Sequence, residues 1–279
     1  MPPADRYAVF GHPIGHSKSP RIHALFAAQT GQAIRYTAED VPAGQFRECL
    51  DRFIEGGGKG LSCTVPLKEL AWRAADKTSM RAERAKAVNT LAIGENGEVF
   101  GDNTDGQGLV RDLTANLHIP LAGRDILLLG AGGASRGILQ PVLAENPRKL
   151  VIANRTPAKA DILAGEFADL GAVEARGFEA LAGESFDLIL NATAASLSGE
   201  LPPLPEGVLN ADGACYDLAY GSQPTAFVRW GVDAGAKASV DGIGMLVEQA
   251  AEAFFIWRGV YPQTRPVIDL LNAERGLRL

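Results

Sequence analysis

Along this chain short apolar runs with the two-residue period of a strand alternate with longer segments of helical period, and the switching predicts an α/β layered protein. Tyr7 to Phe10 reads as a short buried strand. Ser19-Pro20 then opens a helix that turns Ile22, Leu25 and Phe26 to one face and stops at Gly31. Arg35 to Ala38 predicts the next strand, and Pro42 to Glu55 carries Phe46, Cys49, Leu50 and Phe53 at helical spacing until Gly56-Gly57-Gly58 breaks it. Leu61 to Val65 predicts a third strand that ends at Pro66. Val88 to Ile93 and Val99-Phe100 flank Glu95-Asn96-Gly97, a hairpin signal, and the loop GDNTDG at 101–106 introduces a helix.

A second series begins at Asp125 to Leu129 and continues through strands near Leu150 to Ala153, Asp187 to Leu190 and Ala214 to Leu218. After Asp241-Gly242 two amphipathic helices, Met245 to Arg258 and Pro266 to Leu277, end the chain with no strand to follow. At 279 residues the chain exceeds the usual size of a single core, so two domains are expected. Placed by motif, they are 1–105 with 243–279, the last helices packing back on the first domain, and 106–242. No internal repeat or low-complexity tract interrupts them.

Composition narrows the class of partner. With 46% hydrophobic and 22% charged residues the chain reads as an ordinary soluble globular protein, and no apolar run approaches the roughly 18 residues of a spanning helix. The N-terminal MPPADRYAVF lacks the basic and long apolar regions of a signal peptide, so a cytoplasmic location is expected. A net charge of −6 argues against nucleic acid or an anionic membrane as partner, while a local pocket remains free to oppose the global sign. Cys49, Cys63 and Cys215 are too widely spaced for a disulfide framework or a zinc site and read as buried thiols. His12, His16, His23 and His118 form no metal-ligand pair, so no catalytic metal is expected.

GAGGAS at 130–135 follows the apolar strand Ile126 to Leu129 and precedes a helical segment, the context a dinucleotide-binding turn requires. Gly130 permits the tight turn, and Gly132 lets the backbone amides of Ala131, Gly133 and Ala134 approach a pyrophosphate at the positive end of the helix. Ser135 takes the third fingerprint position, where a small residue still allows close packing. The plainer reading is that these glycines only make a turn. The next strand ends in Asn154-Arg155-Thr156, where an NAD site presents an acid to the ribose 2′-hydroxyl. Arg155, with Lys159 one helical turn on, instead supplies positive charge suited to the 2′-phosphate of NADP, against the alternative of a solvated surface pair.

GHPIGHSKSP at 11–20 delivers Ser17 and Ser19 to a helix N-terminus, where two hydroxyls, free amides and the dipole suit a carboxylate; Ser19 is also expected to cap the helix. CTVPLKE at 63–69 puts Lys68 in the first turn of a helix opened by Pro66, a place the macrodipole disfavours for a cation and expected to lower its pKa. Such a lysine can exchange a proton with a substrate hydroxyl, with Asp105 available as partner, whereas a lysine taken alone reads more simply as solvated.

GHSKSP, TVPLK, VNT, DNTDG, GAGGASRG, NRT, NAT and DGIGMLVEQA occur in this order, and in these motifs the chain resembles the shikimate dehydrogenase family from residue 11 to about 250. The resemblance implies an N-terminal α/β substrate domain, a Rossmann NADP-binding domain, C-terminal helices returning to the first domain, and a reaction in the cleft between them. It implies reversible, NADPH-dependent reduction of 3-dehydroshikimate to shikimate, a small anionic cyclic substrate, in chorismate and aromatic amino acid biosynthesis. Lys68 and Asp105 become the catalytic pair. Ser17, Ser19, Thr64, Asn89, Asp105, Tyr220 and Gln249 become substrate ligands, and Thr193, Leu218 and Gly242 join the NADP contacts, with Gly242 lining the site beside Tyr220.

Two positions depart from the family pattern: Ser62 stands where an Asn is usual, and Ala194 and Ala195 precede Ser196 after NAT, where serines are frequent. The first predicts a weaker hold on substrate and the second one polar contact fewer. The competing readings are a quinate/shikimate dehydrogenase with relaxed cofactor use, which Arg155 disfavours, and a non-catalytic shikimate-binding sensor, which the presence of both Lys68 and Asp105 disfavours. Either a monomer or a homodimer is compatible with the sequence.

Overall fold

Buried apolar residues at the centre of β1 (Asp5–Gly11) place it inside a sheet rather than at its edge, and the elements that follow build that sheet around it. They are α1 (Ser19–Thr30), β2 (Ile34–Asp40), α2 (Phe46–Glu55), β3 (Gly58–Cys63), α3 (Lys68–Ala74), β4 (Lys77–Thr78), α4 (Met80–Ala85), β5 (Thr90–Ile93), β6 (Val99–Asp102) and α5 (Asp105–Arg111). The computed structural model describes residues 4–276. Helix α1 stops where the sequence predicts, because Gly31 takes the left-handed conformation (φ 66°) and returns its N–H to the Ala27 carbonyl.

The strand order of this first sheet is β2-β1-β3-β5-β6-β4. β1 runs parallel to β2 and β3, β5 runs antiparallel to β3 and β6, and β4 lies parallel to β6. The hairpin between β5 and β6 turns at the predicted Asn96-Gly97, with the Asn96 Oδ1 accepting from the Glu98 N–H at 3.1 Å. One face of the sheet buries Phe10, Leu50, Phe53, Leu61, Leu67 and Leu91. A second group is aromatic: His23 stacks on Tyr36 (4.2 Å, 9°) and lies against Phe26, Phe254 and Trp257.

The second unit contains β7 (Asp125–Leu129), α6 (Gly133–Ala144), β8 (Lys149–Ala153), α7 (Pro157–Phe167), β9 (Val173–Arg176), β10 (Phe186–Asn191), β11 (Leu209–Asp217), α8 (Ala226–Asp233) and β12 (Ala238–Val240). Two helices follow, α9 (Ile243–Arg258) and α10 (Arg265–Glu274). Its sheet is wholly parallel, ordered β12-β11-β10-β7-β8-β9. Ile126 and Leu128 of β7 enter one core cluster and Leu127 and Leu129 another, so both faces are covered and the strand reads as a continuous apolar run. The direction of winding reverses between β7 and β10, the topological switch point at which such sheets bind ligands.

Contacts divide the chain into Met1–Gly108 with Val247–Ile268, and Leu109–Leu246 with Asp269–Leu279. The expected division, 1–105 with 243–279 and 106–242, thus differs at the C-terminus. Trp257 donates to the Leu91 carbonyl at 2.9 Å and Arg258 to Gln32 Oε1 at 2.8 Å, which holds most of α9 in the first unit. Arg275 pairs with Asp241 and donates to the Gly221 carbonyl, which assigns the end of the chain to the second. The predicted end of the last helix, Leu277, lies outside the described residues.

Strands β4, β9 and β12 have no counterpart among the elements predicted from the sequence, and β11 begins at Leu209, five residues before the predicted Ala214. Cys63 and Cys215 are buried free thiols, each with its pKa pushed up to about 12 by burial, whereas Cys49 is only half-buried and accepts from Arg52 at 3.2 Å. Among the described residues no helix is long and apolar enough to cross a membrane.

Candidate active site and dinucleotide pocket

Backbone hydrogen bonds gather the ends of β1, β3 and β6 and the start of β5 at one margin of the first sheet: Thr64 N–H to Phe10 O, Cys63 N–H to Asn89 O, and Asn89 N–H to Asp102 O. The candidate catalytic residues stand there. Lys68 is the first residue of α3, and its Nζ donates to Oδ2 of Asp105, the first residue of α5. The helix opens two residues after Pro66 rather than at it, with Leu67 at the N-cap, so Lys68 keeps its place in the first turn. The other Asp105 oxygen accepts from Asn89 Nδ2 at 2.8 Å. Both carboxylate oxygens are therefore engaged, which fixes the carboxylate and through it the ammonium.

Asn89 is 4% exposed and acts as the hub. Its Oδ1 accepts from the Thr104 N–H and the Thr90 hydroxyl, each at 2.9 Å, while its Nδ2 also reaches Gln249 Oε1 at 3.3 Å. Thr104, wholly buried, completes the knot with a contact to Gln249 at 3.4 Å. Thr104 is not among the predicted site residues, although it lies inside the DNTDG motif; the signal is present, but only pairing across β5 and β6 gives it a role.

Ser17 and Ser19 are half-buried at the start of α1. Ser19 does not cap the helix as expected: it is the first helical residue, the N-cap position is Lys18, and the Ser17 hydroxyl accepts from the Ser19 N–H at 3.3 Å. Ser62, where the family pattern has Asn, accepts from the Tyr36 hydroxyl at 2.8 Å. Tyr220 belongs to the second unit; burial raises its pKa, with Arg275 opposing the shift. Among the described residues no group of three or more His, Cys, Asp or Glu could hold a metal ion.

In the second unit Gly130 follows β7 at the switch point with φ 101°, in the left-handed half of backbone space, and its carbonyl accepts from the Ser135 hydroxyl at 2.7 Å. The departure at the third fingerprint position is thereby explained: Ser135 is fully buried and its hydroxyl bonds the turn it supports. Helix α6 opens with Gly132 at its N-cap and Gly133 as its first residue, and a Cβ added at either would meet no protein atom within 4 Å. The space over these amides is open to a ligand.

A cavity of about 480 Å³ extends from Gly130, Ala131 and Gly132 to Asn154, Arg155, Thr156 and Lys159, and is closed by Thr193, Ala195, Ser198 and residues 200–203. Arg155 and Lys159 are exposed, and among the described residues neither has a carboxylate partner. Asn154 Nδ2 donates to the Thr156 carbonyl at 2.9 Å, holding the Asn-Arg-Thr turn. A neighbouring hollow shares Arg155, Phe178 and Pro203 with the first. Leu218 and Gly242 meet at the ends of the adjoining strands, where a Cβ on Gly242 would lie 2.3 Å from the Leu218 carbonyl oxygen. Ala195 is half-buried and exposes no polar group, and the Ala194 side chain lies outside the described residues.

An open cradle at the switch point of a Rossmann sheet, with unpaired cations where an NAD site carries an acid, defines a dinucleotide-binding unit; with the lysine–carboxylate pair, the class is that of two-unit nicotinamide-dependent oxidoreductases. Comparison with known proteins narrows this. Residues 9–91 match the shikimate dehydrogenase substrate binding domain, residues 112–198 the shikimate/quinate 5-dehydrogenase model, and residues 242–271 the shikimate 5'-dehydrogenase C-terminal domain. The shikimate dehydrogenase (NADP(+)) of Methylococcus capsulatus (strain Bath) is 67% identical over 275 residues, 99% of each chain. An Ael1 enzyme from Pseudomonas putida superposes with a TM-score of 0.91 at 48% identity, covering 96% of this chain and 98% of that one. Shikimate 5-dehydrogenase from Thermus thermophilus, solved in complex with NADP(H) and shikimate, gives 0.86 at 34%, covering 98% and 100%. The chain belongs to the shikimate dehydrogenase family.

Proposed function

We propose that this chain is an NADP-dependent oxidoreductase that interconverts 3-dehydroshikimate and shikimate, working in the cytoplasm as a monomer or homodimer in the biosynthesis of chorismate and aromatic amino acids. The observation that carries the chemistry is the Lys68–Asp105 pair with Asn89 bound to its second oxygen. NADPH supplies the hydride that reduces the ketone. Lys68 Nζ gives a proton to the oxygen that becomes alkoxide, and in the reverse direction takes it back. Asp105 holds the ammonium in place and accepts from a neighbouring ring hydroxyl. Ser17 and Ser19 hold the substrate carboxylate, and Thr64, Asn89, Gln249 and Tyr220 the hydroxyls. The first unit is the substrate domain and the second the NADP domain.

The residues present fit NADP. The open turn at Gly132 and Gly133 would receive a pyrophosphate at the N-terminus of α6, with Gly130, Ala131 and Ala134 beside it; Asn154, Arg155, Thr156 and Lys159 would hold a 2′-phosphate, and the hollow between Phe178 and Pro203 would admit a flat purine. Thr193, Leu218 and Gly242 would complete the contacts to the cofactor. Purified protein mixed with shikimate and NADP should develop the absorbance of reduced nicotinamide; a flat trace would overturn the activity. Arg155→Ala should lower kcat/KM with NADP roughly ten- to a hundredfold and leave the value with NAD nearly unchanged. An unchanged NADP/NAD ratio would remove Arg155 from the site.

A further inference from the structure

The wall of the dinucleotide pocket that faces the glycine turn is a short segment after β10. It is a 3₁₀ turn, Ala194–Ser198, closed by Gly199 in the left-handed conformation (φ 75°). Ala192, Thr193, Ala195 and Ser198 line the cavity, and Ala192 is also in touch with the cradle, since a Cβ on Gly130 would lie 3.2 Å from the Ala192 carbonyl oxygen. Thr193, Ala195 and Ser196 are only half-buried and Ser198 is exposed, so polar contacts hold these residues in place.

Those contacts converge on two buried groups. Asn191, fully buried at the end of β10, accepts from the Thr193 N–H at 3.1 Å and the Thr193 hydroxyl at 2.7 Å, and its Nδ2 donates to Ser196 Oγ at 2.8 Å. The Ser196 hydroxyl in turn donates to Asp217 Oδ2 at 2.5 Å. Asp217, at the end of β11, is also fully buried; its remaining partners are the Thr225 hydroxyl at 2.6 Å, Asn191 Nδ2 at 3.3 Å and the Ala219 N–H at 3.1 Å. Burial raises its pKa, and these donors oppose the shift. Hydrogen bonds to a carboxylate are about twice as strong as neutral ones, so this buried acid grips the turn more firmly than an amide would.

We infer that Ser196 and Asp217 are positioning residues of the NADP(H) site, clamping the turn at 193–198 at the distance from the glycine cradle that the dinucleotide requires. The inference rests on reading this cavity as the cofactor pocket, and it gives Ser196 the role of inward anchor beside Ala195. Calorimetric titration of the full chain with NADPH and, separately, with shikimate tests it, alongside thermal melting. Ser196→Ala should weaken NADPH binding roughly tenfold, the lower end of what a hydrogen bond to a charged group is worth, and leave shikimate affinity within about twofold. Asp217→Asn, which keeps the shape and loses the charge, should weaken NADPH binding in the same sense.

Arg155→Ala, titrated in parallel, separates the two readings. If it loses NADPH affinity while Ser196→Ala does not, the clamp is wrong and the pocket stands. If Arg155→Ala binds NADPH like the wild type, the pocket reading and the clamp fall together. Equal losses for NADPH and shikimate in Ser196→Ala, with a lowered Tm, would reduce the network to a purely structural one and overturn the inference.

Discussion

Acidification through the histidine range should destabilise this protein, with His23 carrying a defined part of the loss. Its side chain is 1% exposed, stacked on Tyr36 at 4.2 Å and enclosed by Phe26, Phe254 and Trp257, and neither ring nitrogen has a hydrogen-bond partner among the described residues. Protonation there would surrender hydration with nothing in exchange, and burial lowers the pKa from 6.5 to about 3. Between those values the unfolded chain binds a proton that the folded chain refuses. The contribution is therefore complete above the unfolded value and shrinks as pH falls, until the folded imidazole itself protonates. At about pH 5, one and a half units below the unfolded value, the loss is about 2 kcal/mol, and it does not depend on how far below pH 5 the folded pKa lies.

His23→Phe keeps a flat ring in the stack and cannot titrate. Urea unfolding of wild type and variant at about pH 7.5 and about pH 5 gives the difference in unfolding free energy at each, which cancels most other titrating groups. That difference should move by about 2 kcal/mol in favour of the variant on acidification. A difference that stays constant within about 0.5 kcal/mol would mean that the imidazole is hydrogen-bonded or hydrated in the native state, and the argument from burial would fail.

Lys68→Ala should lower kcat roughly 10²- to 10⁴-fold with a smaller change in KM, because the proton donor is lost while the substrate ligands remain; steady-state kinetics with shikimate and near wild-type kcat would exclude the assigned role. Gly132→Ala adds a Cβ that meets no protein atom within 4 Å, so Tm should hold while NADPH affinity falls because the methyl occupies the approach to the amides. Thermal melting and NADPH titration of that variant should diverge, and an affinity equal to wild type would show that no ligand comes close there.

Much of this protein is decided within short windows of its sequence. The apolar run Ile126 to Leu129, the Gly31 stop and the Asn96-Gly97 turn each depend on the conformational preferences of a few adjacent residues, and each appears where the sequence places it. That no acid stands at Asn154-Arg155-Thr156 is likewise read from residue type at a single turn. Strands β4, β9 and β12 have two to four residues each, too few to show a period, and exist because a neighbouring strand supplies their hydrogen bonds. The Asn89–Thr104–Gln249 knot likewise joins residues up to 160 positions apart, and Ser196 meets Asp217 across 21. Whether Ser17 or Ser19 serves the helix end was settled by the backbone at Lys18, which keeps αR dihedrals instead of the extended ones of a capping residue. Pairings of this kind form only when distant segments close on one another, and no local preference encodes which hydroxyl then faces which carboxylate.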